Sequence, residues 1–142
     1  FDIVGIKPQR FRQVPPNVFV YGPLDYQAYE PLLAQADVAI GTLALHRIGM
    51  NEACPLKVRE YLAYGLPVII GYRDTDFPQG APFILELPNR EHNVESSIAA
   101  IENWVSTWKG QRVAREAITH LDVKVKESQR LAFFREVLEV RH

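Results

Sequence analysis

The sequence predicts an α/β domain: a parallel sheet with helices on both faces, and extra helices at the C-terminal end. Two observations predict it. Short runs rich in Val and Ile alternate with helical stretches as far as Leu87. Such runs, separated by helices, read as strands of a parallel sheet buried on both faces. Pro55, a helix-length stretch, Gly65 and the run PVIIG then follow in order, the punctuation of a strand–helix–strand unit.

Residues 1–5 (FDIVG) are short, apolar and strand-like. Residues 7–17 carry three prolines and three positive charges and read as an irregular connection. The β-branched and aromatic run VFVY at 18–21 is a strand closed by Gly22-Pro23. Asp25 can cap a helix over 26–36, with Tyr26, Tyr29, Leu33 and Ala36 on its apolar face. Residues 38–42 (VAIGT) form the next strand, and 43–54 a loop with Gly49 in its middle. Pro55 suits the first turn of a helix and Gly65 the position just past its end. Residues 67–71 are a buried strand, 74–81 are turn-rich, and 83–87 form a last short strand. Asn93 can cap a helix with Val94, Ile98, Ile101, Val105 and Trp108 on one stripe. Gly110 breaks it. Ala114, Ile118 and Leu121 continue on a second helix, and Asp122 caps a last one through Val140, with Leu131, Phe134 and Leu138 inward.

The 142 residues suffice for one domain, or one fragment of a larger protein. The chain opens at Phe1 inside an apolar segment, which suggests a piece of a longer chain. Hydrophobic residues at 47% and charged residues at 23% exclude a disordered chain. Sixteen basic against seventeen acidic residues leave no excess to neutralise a polyphosphate backbone, which argues against nucleic acid as partner. The single cysteine, Cys54, excludes an intrachain disulfide framework and a cysteine-rich zinc site, and fits a reducing, cytoplasmic compartment. No apolar run approaches the roughly 20 residues a bilayer needs, and no secretory signal is visible.

Open α/β sheets bind ligands outside the carboxyl ends of their strands. The loop after VAIGT leaves such an end and runs into the Pro55 helix. Amides of the first helical turn, at Leu56, Lys57 and Val58, lack intrahelical acceptors; with the helix dipole they suit a diphosphate. Lys57 adds charge. Glu60 lies about 7–8 Å along the helix at 1.5 Å per residue and shares a face with Leu56. Glu52 lies before the helix, on the other side of its mouth. Carboxylates accept hydrogen bonds from vicinal hydroxyls. The natural fit is therefore a nucleotide sugar, with ribose on Glu60 and hexose on Glu52. Val58, Leu62 and Gly65 face the sheet.

The segments NVFVYG (17–22) and AQADVAIGTLAL, then Glu52 and Glu60 with PLKVREYLAYGLPVII, resemble the C-terminal half of retaining GT-B glycosyltransferases, the group 1 or family 4 set. There a strand ending in Gly precedes a helix and an Ala-Asp-Val strand. Glu, seven residues, Glu and Ala-x-Gly-x-Pro-Val-Ile follow, matched here at 36–40, Glu52, Glu60 and 63–69. The likeness covers residues 1–71 well and the helical tail by pattern only. It implies a Rossmann-like half of a GT-B fold. It implies Glu52 as the catalytic carboxylate on the donor sugar, Glu60 on the ribose, amides near Leu56 and Lys57 on phosphate, and the Tyr21-Gly22 turn beside the base. The whole protein would transfer a sugar from a nucleotide diphosphate sugar to an acceptor hydroxyl with retention, without metal or other cofactor. Two departures stand out. The family often has Gly where Pro55 stands, so one amide donor is lost. Its basic phosphate-binding pair follows the first strand of this domain, and that strand, the first helix and the acceptor-binding N-terminal domain with its active-site His are expected to be missing or to lie upstream of Phe1. The chain by itself is expected to bind nucleotide weakly and to catalyse nothing.

Arg47, beside His46 in the loop after VAIGT, is a candidate for a phosphate or acceptor anion. Asp74 and Asp76 read as turn residues, with sugar or metal contact as the alternative. Cys54 reads as a small packing residue, His92 and His120 as capping or surface residues, and Trp104 and Trp108 as core. Lys124, Lys126 and Arg130, alternating with Glu127 and Glu136, read as a solvated face; in a longer protein they are a candidate for peripheral contact with an anionic membrane at the inner face. Two rival functions fit the same residues: a sugar-nucleotide epimerase and a non-catalytic binding or scaffold module. A dinucleotide domain is disfavoured, because no Gly-x-Gly-x-x-Gly follows a strand.

Overall fold

The computed structural model describes residues 1–139. Among them the architecture is mixed α/β, with small parallel sheets and four α-helices. The chain divides into two units, residues 1–36 and the chain from Asp37 onward.

In the first unit, β1 (Asp2–Ile3) pairs in parallel with β2 (Phe19–Val20), Asp2 opposite Phe19 and Ile3 opposite Val20. Parallel strands need a long crossover. Residues 4–18 supply it, with a 3-10 turn at Pro8–Arg10. Helix α1 (Tyr26–Gln35) starts where Asp25 Oδ1 accepts from the Ala28 amide at 3.0 Å. Leu33 is buried and Tyr29 and Ala36 are half-buried, but Tyr26 is exposed, not packed with them. It stands at the first helical position, its hydroxyl 3.4 Å from Glu30 one turn on.

In the second unit, β3 (Ala39–Ile40) is followed by β4 (Glu52–Ala53), α2 (Leu56–Ala63), β5 (Val68–Ile70), β6 (Arg73–Asp74) and β7 (Ile84–Glu86). The expected single sheet is divided. β3, β5 and β7 form a parallel sheet in that order, β4 pairs with β6, and β1 pairs only with β2. Registers place Ala39 opposite Val68, Ile69 opposite Leu85, and Glu52 opposite Arg73. The run 68–74 acts as one rail. Its first half pairs with β3 and its second half with β4, while the Gly71 amide bridges to the Thr42 carbonyl at 3.0 Å and the Arg73 amide to Asn51 at 3.0 Å. Residues 43–51 leave the rail between the two halves. They are not plain loop: Leu45–Ile48 is a 3-10 turn closed by Gly49 in the left-handed region, and the chain returns as β4.

Helix α2 lays Val58 and Leu62 against the sheet, both at 0% exposure with Leu66, Val68 and Ile70. Burial of each contributes about 1.5–3 kcal/mol. The helix ends in a Schellman pair, Gly65 N to Leu62 O at 2.9 Å and Leu66 N to Tyr61 O at 2.9 Å. Gly65 takes φ +73°, as glycine does most cheaply.

The C-terminal part departs further from expectation. Asn93 is no helix cap: its side-chain amide donates to the Leu43 carbonyl at 2.8 Å, so α3 (Ile98–Trp108) begins after Ser97 without a side-chain cap. Trp104 and Trp108 are half-buried neighbours, 6.2 Å between ring centroids, not core. The second helix is a 3-10 stretch, Arg115–Leu121, with Ile118 buried. Helix α4 (Val123–Glu139) is capped by Asp122 Oδ1, which accepts from Lys124 N at 2.9 Å. The expected inward face of α4 is exposed at Leu131, Phe134 and Leu138, with Phe133 and Val137 beside them. Periodicity says which residues share a face, not that the chain supplies a partner for it. Val140, the expected end of this helix, lies outside the described residues.

Gly71 is where the departing strand crosses the rail: a Cβ there would lie 2.8 Å from the Leu43 oxygen and 2.9 Å from its Cα. Both obstacles are backbone. Gly71→Ala is expected to destabilise by about 1–3 kcal/mol, read as a lower urea midpoint at constant slope.

Candidate functional site

The amino end of α2 is open. Pro55 occupies the cap position, one residue before the expected first turn, and Leu56 is 86% exposed. The Pro55 carbonyl already accepts from Val58 N at 3.1 Å and from Arg59 N at 3.4 Å. Of the three amides expected to receive an anion, Val58 is thus engaged, which leaves those of Leu56 and Lys57 ahead of the first helical bond. Lys57 is exposed on the same turn. Glu52 stands exposed on β4, 4.0 Å from Arg73 Nη1 across the pair. Glu60 is half-buried, about 200° round the helix from Val58 and so turned from the sheet. Tyr21 and Gly22 belong to the first unit, where the Tyr21 amide donates to Ile3 O at 2.7 Å and Gly22 O accepts from Gly5 N at 3.1 Å.

Beside this mouth lies an ion cluster that sequence reasoning missed. Arg59 Nη1 donates to Asp74 Oδ2 at 2.8 Å, its Nη2 to Asp74 Oδ1, and its Nε to Asp76 Oδ2 at 3.0 Å. Asp76 also takes Lys126 Nζ on Oδ1 and the Cys54 thiol on Oδ2 at 3.1 Å. The Phe77 ring lies 5.7 Å from the guanidinium carbon, and His120 donates from Nε2 to the Asp76 carbonyl at 3.2 Å. Asp74 and Asp76 are therefore not turn residues alone, Cys54 is an exposed rim residue rather than packing, His120 is half-buried, and Lys126 is tied inward rather than solvated. Burial pushes the Asp76 carboxyl up, but hydrogen bonds from Lys126 and Cys54 and the Arg59 charge outweigh it and hold it low. Burial works against the Arg59 cation too, and the Asp74 hydrogen bonds more than reverse it. The Tyr72 hydroxyl, buried without a hydrogen-bond partner, is pushed up by burial and then by Asp74. Two residues apart on extended chain, Asp74 and Asp76 fall on one side; nothing in the sequence pattern names Arg59 or Lys126 as their partners.

A second gathering occupies the carboxyl edge of β3 and β7. Asn89 accepts from His46 N at 3.0 Å and donates to Met50 O at 2.8 Å and Asn51 Oδ1 at 3.1 Å, so it spans the 3-10 turn. Arg47 grips Glu91 with both prongs, Nε and Nη2, each at 2.8 Å. Between the two loops runs a cleft of about 330 Å³, with His46, Arg47, Arg90, Glu91, Asn93 and Glu95 on its walls. The Arg47 fork first, then His46 beside it, hold the Glu91 carboxyl down to about 2. Arg47 is thus already paired with an internal carboxylate. His92, exposed at φ +57°, meets Glu95.

Comparison with protein-family models, with characterised proteins and with solved structures gives no match. Among the described residues no group of three or more His, Cys, Asp or Glu could hold a metal ion, and no helix is long and apolar enough to cross a membrane.

Two outcomes follow from these contacts. Arg59→Met leaves Asp74, whose side chain is 1% exposed, without its counter-charge. A loss of about 3–5 kcal/mol is expected, whereas Cys54→Ser should stay within about 0.5 kcal/mol; urea unfolding measures both. Glu91 has a depressed folded pKa, so its pairing stabilises above the ordinary carboxylate value of 4.5 and is lost as pH falls towards about 2. Its carboxyl carbon resonance should titrate near 2, and shift up towards the ordinary value in Arg47→Ala, where His46 alone remains beside it.

Proposed function

We propose that this chain is the donor-binding part of a retaining glycosyltransferase, taking a nucleotide diphosphate sugar at the amino end of α2. The sheet β3–β5–β7 with α2 is read as part of a Rossmann-like half of a GT-B fold. The observation that carries the reading is the uncovered mouth of α2, with Leu56 86% exposed, Lys57 beside it, and an exposed carboxylate at Glu52 just before it. Developing negative charge on a leaving diphosphate would meet the Leu56 and Lys57 amides, the Lys57 ammonium and the dipole of the helix. Glu52 would hold the donor sugar near the reacting carbon, and Glu60 the ribose. The acceptor and an N-terminal domain to bind it belong, in this reading, to the rest of a larger protein, in the cytoplasm. Arg59 takes no part in phosphate binding, because its guanidinium is spent on Asp74 and Asp76.

The test is a thermal-stability panel with inorganic diphosphate, nucleoside diphosphates and nucleotide sugars. Stabilisation should grow with ligand concentration, reaching about 2.7 kcal/mol at a hundred times Kd. Glu60→Gln should remove the advantage of a nucleoside diphosphate over inorganic diphosphate. Glu52→Gln should remove the advantage of a nucleotide sugar over its nucleoside diphosphate. Stabilisation by none of them, or a ranking indifferent to both substitutions, defeats the reading.

A further inference from the structure

The cleft between the loops after β3 and β7 holds donors that its own structure does not consume. Arg47 offers a two-pronged guanidinium, 65% exposed, to the Glu91 carboxylate, 55% exposed. His46 Nε2 comes within 3.2 Å of Glu91 Oε1, yet neither ring nitrogen makes a well-aligned hydrogen bond, and both are shut off from solvent. Arg90 lines the same cleft and makes no ion pair among the described residues. Three cationic or donor groups therefore converge on a space of about 330 Å³, the lower end of small-ligand pockets, with the Glu91 carboxylate to share, while the second carboxylate on the wall, Glu95, is engaged by His92. The walls are braced independently of that carboxylate, by Asn89 on Met50 and Asn51 and by Asn93 on Leu43. Glu91 can therefore leave without the loops parting.

We propose that this cleft is a binding site for the phosphate group of a small phosphate monoester, and that Glu91 is its built-in occupant, displaced when the ligand arrives. The ligand's charge decides between anions. A carboxylate brings nothing that Glu91 lacks and must compete with a tethered rival at high effective concentration. A phosphate monoester carries nearly two charges at neutral pH and three strong acceptor oxygens, enough for Arg47, His46 and Arg90 together. Both partners of the Arg47–Glu91 pair are exposed, so water takes up the freed Glu91 carboxylate and lowers the cost of the exchange. The site is separate from the mouth of α2 and does not depend on the nucleotide-sugar reading.

Inorganic phosphate is the probe, with acetate for comparison, and residue-resolved NMR of the described chain reads the site. Phosphate should move the Arg47 Nε–H and His46 ring signals saturably, and acetate at equal concentration should not. Phosphate settling on the α2 mouth would instead move the Leu56 and Lys57 amides, which keeps the two sites apart. Glu91→Gln removes the competitor and should tighten phosphate about tenfold, as the fraction of open site rises. Arg90→Ala removes no ion pair, so the fold survives, and it should weaken phosphate about tenfold. Arg47 and His46 signals indifferent to phosphate, an Arg90→Ala protein that binds it unchanged, or a Glu91→Gln protein that binds it no better would each overturn the proposal.

Discussion

The guanidinium of Arg59 is the constraint around which the second unit is arranged. It issues from the first turns of α2 and is spent on two carboxylates at the end of β6, one of which also receives Lys126 from α4. Three elements far apart in the chain thus meet at one charge. The buried position makes the arrangement demanding, because a desolvated carboxylate tolerates no missing partner. Orientation of α2 follows: with Arg59 held on one side and Val58 and Leu62 under the sheet, Glu60 and Leu56 are left facing outward. The helix end proposed to meet a diphosphate is presented by an interaction that does not touch it.

Much of the scaffold was legible because its causes are local. Apolar β-branched runs located β3, β5 and β7; the parallel pairing of β3 with β5 follows from the helix between them, whereas β5 and β7 are parallel across a connection without a helix. Asp25 and Asp122 cap the helices expected of them, and Pro55 and Gly65 bracket α2, with Pro55 one position earlier than read. These signals act within a few residues, where one sequence suffices.

The remainder was illegible for a shared reason. Arg59 reaches Asp74 across fifteen residues and Lys126 reaches Asp76 across fifty, and no periodicity encodes such distances. Asn93 looked like a cap because caps and long-range tethers use the same side chain; the choice fell to Leu43, fifty residues away. The organised turn at Leu45–Ile48 escaped because its order comes largely from Asn89 and Glu91 on another loop. Leu131, Phe134 and Leu138 on α4 do share one face of the helix, yet a face that is exposed among the described residues reads the same in sequence as a buried one. The likeness around Glu52 and Glu60 is of another kind: it rests on a motif, and the open helix end is compatible with it.

The rail formed by residues 68–74 has a bearing on how such a site can vary. Because β4 takes its register from β6 and not from the segment leading into it, Glu52 stays opposite Arg73 whatever length the excursion after Thr42 acquires. Added residues cost only slowly growing closure entropy. Lineages could rewrite that excursion, and with it the chemistry above the sheet, while the acidic side chain at the helix entrance keeps its address.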